Sequence, residues 1–269
     1  MTAEMHKTMG APARAEPQVA ITLDVDWAPD FAIELAAAAL VQANVRATWF
    51  LTHDSPAVQR LRDHASLFEL GWHPNFFPGS THGATEEEVF AHCRQLAPDA
   101  RVVRTHGLLQ STRLLDRMRG GTDIRIDASL LLRGHPHLAV HDLPLTSGCM
   151  QRVPFWWEDD IEMSAADPVW ALANSFADGV PGLRVLNFHP IHIALDSQSP
   201  APYETLKEHV ASLAHASAAD VAAAQATDRL SHNGPVGTAR AFGEAIGWIA
   251  ARGGGHTMSQ LVAQRESQP

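Results

Sequence analysis

The run "ITLDVDWAPD" (Ile21 to Asp30) ends a β-rich segment with two carboxylates, Asp24 and Asp26, two residues apart. On a strand such positions share one face, about 7 Å apart. Two anions at that distance raise each other's pKa unless a cation stands beside them. A divalent ion answers this economically: one carboxylate ligates it and the other stays free as a base. The alternative is that one of the pair only caps the turn at Trp27-Ala28-Pro29. His73, between Trp72 and Pro74, falls where a strand stops and is the candidate second ligand. His82, nine residues later in "PGSTHG", is the candidate third, or else a solvated loop histidine. Asp26, His73 and His82 with water make an ordinary catalytic zinc set, with a coordination position left open for chemistry. His53, His106 and His192 read as groups that support the ligands or face a substrate. His135, His137 and His141 share one loop and could bind metal adventitiously.

The elements that must position these groups alternate between strand-like and helix-like patterns. "QVAITLDV", "RATWFLT", "LFELGWH", "ARVVRTH", "DIRIDASL", "CMQRVPFWW" and "GLRVLNFHP" read as strands. Between them lie helical runs such as "FAIELAAAALVQANV". Ser55-Pro56 and the capping box Thr85-x-x-Glu88 mark two helix starts. Such alternation predicts parallel pairing, in a barrel or an open sheet, with functional groups at the carboxyl ends of the strands. Those ends carry Asp24 and Asp26, Thr52-His53-Asp54, His73, Arg104-Thr105-His106, Asp127, Glu158-Asp159-Asp160, and His189 with His192 beyond it. Seven successive polar strand ends are hard to explain as caps and surface loops alone. The expected architecture is one α/β domain over residues 17–265, a distorted (β/α) barrel of about seven parallel strands. Extra helices follow, near Tyr203 to Ala216, Ala218 to Leu230 and Thr238 to Ala251. Residues 1–16 read as a flexible tail.

Composition narrows the class. In 269 residues, 45% are hydrophobic and 19% charged, as in an ordinary globular protein. A formal charge of −10 argues against a nucleic-acid or anionic-membrane surface, both of which require a positive field. Cys93 and Cys149 are too few for a disulfide framework. No apolar stretch is long enough to span a membrane, and the N-terminus lacks the apolar core of a secretory signal. A cytoplasmic location is therefore expected, and a homo-oligomer is compatible with these features.

In order along the chain, the motifs resemble those of the polysaccharide deacetylases, the family-4 carbohydrate esterases with a NodB-homology domain. "TLDVDW" is similar to the first family motif, "ATWF" to the next strand, and "ELGWH" to the second motif through His73. Arg104-Thr105-His106-Gly107 is a looser match to the third, and "VLNFHP" is similar to the closing motif through His189. The wording looks closest to a cytoplasmic subgroup associated with bacterial surface polysaccharides. The resemblance implies a distorted barrel and metal-dependent removal of an acyl group from a sugar amide. It makes Asp24 the base, Asp26 and His73 ligands, Arg104 the group that tunes Asp24, and His189 the acid. Asp159 or Asp160 would partner His189, and Zn2+ is the expected ion. Trp156, Trp157, His106 and His192 are candidates for contact with a glycan. At the family's second metal histidine this chain has Phe77, for which His82 would substitute. Two alternatives stay open: a hydrolase of small N-acyl or ureide compounds, and a non-catalytic carbohydrate-binding descendant.

Overall fold

In the computed structural model, residues 16–177, 180–228 and 237–266 are described. The expected tail, apart from Glu16, and the last two residues of the expected helix Ala218 to Leu230 lie outside them. Nine strands form one sheet: β1 Gln18–Asp24, β2 Ala47–Leu51, β3 Phe68–Trp72, β4 Val102–Val103, β5 Ile126–Asp127, β6 His141–Leu145, β7 Gly148–Arg152, β8 Trp157–Glu158 and β9 Leu183–Phe188. Their order is β6-β7-β5-β4-β3-β2-β1-β9-β8. Every pairing is parallel except β6 with β7. Parallel strands are covered on both faces, which explains their nearly unbroken apolar runs. Every residue of β2 and β9 is buried, as are Val19 to Asp24 of β1.

The sheet is strongly curled, and chain length demands it. β7 and β8 stand second and ninth in the order. In a flat sheet they would be about 34 Å apart at the usual strand spacing. Yet Arg152, which ends β7, is followed by Trp157 at the start of β8 after only four residues. Those five steps reach about 18 Å at most. Trp156 N–H also reaches Val185 O of β9 at 2.7 Å, and Phe155 bridges to Leu131. The result is a half-barrel of nine strands in place of the expected barrel of about seven. The segment "CMQRVPFWW", expected as one strand, is split between β7 and β8. Pro154 interrupts it, because proline has no N–H to continue a ladder. "HDLPL" adds an antiparallel edge strand that was not expected.

Helix starts follow the sequence signals. Ser55 Oγ accepts from Val58 N–H at 3.2 Å, and Thr85 and Glu88 form the reciprocal capping box of helix Glu86–Leu96. The C-terminal helix Met258–Glu266 is tied to the sheet where Thr48 Oγ1 accepts from Met258 N–H at 3.0 Å. Among the described residues, no helix is long and apolar enough to cross a membrane.

Candidate active site

The carboxyl ends of β1, β3, β4, β8 and β9 converge on one cluster. β1 stops at Asp24, and Asp26 and Trp27 then take positive φ values of 42° and 53°. Two successive non-glycine residues in this region cost of order 1 kcal/mol each or more. The turn is held by Trp27 N–H donating to Thr52 Oγ1 at 3.0 Å and Val25 N–H donating to Phe50 O at 3.0 Å. It is this turn, and not strand alternation, that brings both carboxylates to one centre.

Asp26 Oδ1 lies 3.0 Å from His73 Nε2 and 3.1 Å from His106 Nδ1, and those two nitrogens are 3.3 Å apart. Burial disfavours the Asp26 carboxylate, but the imidazoles of His73, His106 and His189 hold it well below the usual carboxylate range. For His106, burial acts downward and is outweighed by Asp26, which raises its pKa. The set Asp26, His73 and His106 forms a group able to hold a metal ion. Its donor separations fit: tetrahedral zinc with bonds near 2 Å places its ligand atoms about 3.3 Å apart. His73 is 1% exposed, and its Nδ1 has no hydrogen-bond partner among the described residues.

His82 lies outside that group. Its ring stacks on His92 at 4.2 Å, and its Nδ1 accepts from Asn75 N–H at 3.1 Å. Burial, with the His92 ring adding to it, depresses its pKa to about 4. At the position of the missing family histidine, Phe77 is exposed and turns its ring edge-on to His106, 6.2 Å away. The His106 turn depends on Gly107, with φ of 59°: a Cβ there would meet the Phe77 ring at 2.7 Å.

Behind the triad, Asp24 is 2% exposed and doubly held. Its Oδ1 accepts from Arg104 Nη1 at 3.0 Å, and its Oδ2 accepts from Asn187 Nδ2 at 3.0 Å. Arg104 is fully buried between the rings of Phe50 and Phe155, at 4.6 and 4.4 Å. On the other side, His189 Nε2 stands 3.6 Å from Asp26 Oδ2, and its Nδ1 is 2.7 Å from Asp159 Oδ1. Burial works against the His189 imidazolium, but Asp159, Asp160 and Asp26 raise its pKa well above 6.5. Of the two acids left open by sequence, Asp159 is the one bonded to His189; Asp160 is exposed beside them. A cavity of about 240 Å³ opens in front, lined among others by Asp26, His189, His192, Tyr203, Met163 and Ile191.

Other expected site residues lie elsewhere. Trp156 and Trp157 are buried in the core, so neither indole face is available to a sugar ring. Trp157 packs on Trp170 and Phe188 and donates to Val169 O, while Trp156 covers Arg184. Asp127 pairs with Arg152. His135, His137 and His141 are exposed and belong to no metal-capable group among the described residues. Sequence reasoning assigned no role to Asn187, Glu158 or Tyr203. Asn187 did carry a signal: it is a polar residue in an apolar strand, two positions before His189 and therefore on the same face. Tyr203, on a helix beyond the barrel strands, carried none.

A curled parallel sheet with acids and imidazoles gathered at the carboxyl ends of its strands is the layout of a barrel enzyme. Comparison with known proteins is narrower. The model of the WbmS-like polysaccharide deacetylases matches residues 21–207, and the chain belongs to that family. A Bordetella bronchiseptica protein described as a polysaccharide deacetylase involved in O-antigen biosynthesis superimposes with a TM-score of 0.69 and 28% identity, covering 87% of this chain and 91% of that one. The 4-alpha-glucanotransferase of Thermococcus litoralis shares the fold, with a TM-score of 0.50 and 9% identity over 91% of this chain and 38% of its own. The peptidoglycan deacetylase PdaC of Bacillus subtilis aligns over 95% and 96% of the two chains with 13% identity and a TM-score of 0.45. No curated protein matches significantly.

Proposed function

We propose that the protein is a metal-dependent deacetylase that removes an N-acyl group, acetyl in the first instance, from an amino sugar used for bacterial surface polysaccharide. Family membership supports deacetylation. The observation that carries the metal-dependent reading is the Asp26–His73–His106 triad, with Asp24 on one side and His189 on the other. Asp26, His73 and His106 would hold the ion, with zinc the best match to one carboxylate and two imidazoles. When bound, such an ion lowers the pKa of water and polarises the substrate carbonyl.

The chain's own groups do the rest. Asp24, fixed by Arg104 and Asn187, presents Oδ2 toward His73 Nε2 at 3.9 Å and takes the proton of the attacking water. His189, with Nδ1 anchored on Asp159, carries a proton at Nε2 and delivers it to the departing amine. The cavity beside Tyr203 and His192 would receive the amide next to Asp26 and His189. The substrate class proposed is a biosynthetic precursor, a nucleotide- or lipid-linked N-acetyl amino sugar.

The test is acetate release from N-acetylated sugar nucleotides by purified protein, before and after chelation and with zinc restored. Turnover that disappears with chelation and returns with zinc is the expected result. Zinc-loaded protein that binds such sugars without releasing acetate would instead make it a binding descendant of the family.

A further inference from the structure

Behind the proposed base lies a buried acid that this mechanism does not use. Glu158, at the end of β8, is 6% exposed, and its Oε1 accepts from Asn187 Nδ2 at 2.9 Å. Asn187 is fully buried, and its neighbours fix which way its amide points. Its Oδ1 accepts from Arg104 Nη1 and lies 3.0 Å from Thr22 Oγ1. A guanidinium can only donate, so the amide NH2 must face the other way. Its two hydrogens are then divided between Asp24 Oδ2 and Glu158 Oε1.

The two cations nearest Glu158 make their ion pairs with other acids. The groups that face it are Asp160, His189, Asp24 and Arg104. Arg104 is bonded to Asp24, and His189 is bonded to Asp159. Among the described residues Glu158 makes no ion pair of its own, and an unpaired buried carboxylate is among the costliest groups a fold can hold.

We infer that Glu158 and Asn187 are positioning residues for Asp24, with Glu158 acting as a neutral carboxylic acid. In that form it orients the Asn187 amide, which locks the Asp24 carboxylate, without adding a second negative charge beside the base. Burial first, and then the Asp160 carboxylate, push the Glu158 pKa above the ordinary range, in agreement with this geometry. The inference rests on the deacetylase reading for its catalytic consequence but not for the protonation state.

Two measurements separate the two. The first is thermal unfolding of the wild type and Glu158→Gln across neutral to alkaline pH. An acid whose pKa is raised on folding contributes stability that is complete below its unfolded value and lost as pH rises through the folded one. Glutamine cannot ionise, so the wild-type Tm should fall relative to that of Glu158→Gln as pH increases. Parallel curves would overturn the neutral-acid assignment. The second is kcat of zinc-loaded protein. Glu158→Ala should lose roughly tenfold or more at unchanged KM and zinc content, and Glu158→Gln should recover most of that loss at neutral pH. Wild-type kcat in Glu158→Ala would overturn the positioning role. A wild type without turnover would overturn the deacetylase reading, while the unfolding curves still decide the state of Glu158.

Discussion

Asp159 holds His189 twice: one carboxylate oxygen lies 2.7 Å from Nδ1, and the other accepts the His189 backbone N–H at 2.8 Å. The double contact fixes both the ring and the strand end that carries it, leaving Nε2 as the atom that faces Asp26. A carboxylate in this position sets the tautomer of its histidine and stabilises the imidazolium. Asp159→Asn should therefore lower kcat by roughly a hundredfold or more, at a KM close to that of the wild type. Asp160→Asn, which removes a charge near His189 but no hydrogen bond to it, should fall short of that. Equal losses in the two variants would remove Asp159 from its assigned role.

The third member of the metal-capable group is His106, not His82, and the two choices make opposite predictions. His106 Nδ1 is 3.1 Å from Asp26, whereas His82 is occupied by Asn75 and stacked on His92. Zinc measured by elemental analysis should be lost from Asp26→Ala and His73→Ala. In His106→Ala it should be lost or held far more weakly, as expected for removal of one of three ligands. His82→Ala should keep its zinc. Zinc lost from His82→Ala but intact in His106→Ala would restore the ligand set expected from sequence.

Much of this arrangement was legible in the chain, for definable reasons. Strand ends could be read because parallel strands buried on both faces are apolar throughout, so a terminal polar residue stands out. Asp24, His73, Arg104 and His189 were visible in that way, and the structure gathers them. Asp26 was read by alternation along a strand, yet it reaches the centre through a left-handed turn that alternation does not encode. The indoles of Trp156 and Trp157 had the right chemistry for a sugar platform. The four-residue crossing from β7 to β8 instead carries Trp156, and β8 itself carries Trp157, into the core, and that crossing follows from a curl invisible to local pattern. His106 could not be ranked above His82 because which ring meets Asp26 depends on how their loops pack in three dimensions.

Arg104 is the most tightly constrained charge in the site. Its Nε donates to Ala128 O at 3.0 Å, its Nη1 reaches Thr22 and Asp24, and two phenylalanine rings cover its faces. A lysine ammonium has neither the planar fork nor the stacking surface. Arg104→Lys should keep its zinc but lose at least about tenfold in kcat, because Asp24 is no longer held. Arg104→Ala, which leaves Asp24 buried without its cation, should cost about 3–5 kcal/mol in urea unfolding. Near-wild-type turnover in Arg104→Lys would show that charge alone suffices.

His192 offers a test at acid pH. Its ring is 5% exposed, between His189 at 5.4 Å and Tyr203 at 4.9 Å, with Nδ1 3.3 Å from Ser197 Oγ. Burial is the main cause that brings its pKa to about 4, with the His189 charge adding to it against the pull of Asp159 and Asp26. The folded value thus lies below the unfolded one, so the unfolded chain takes up the proton first. The stability that a neutral His192 contributes is complete above about pH 6.5 and is lost as pH falls toward 4. Over the whole interval the loss amounts to roughly 3 kcal/mol. His192→Gln keeps a polar partner for Ser197 but cannot take up that proton. Its unfolding free energy should therefore decline less than the wild type's between pH 7 and pH 5. His82, also depressed to about 4, contributes equally to both proteins and cancels in the comparison. Identical slopes would mean that His192 takes up its proton as readily in the native fold as in the unfolded chain, so that burial does not keep it neutral.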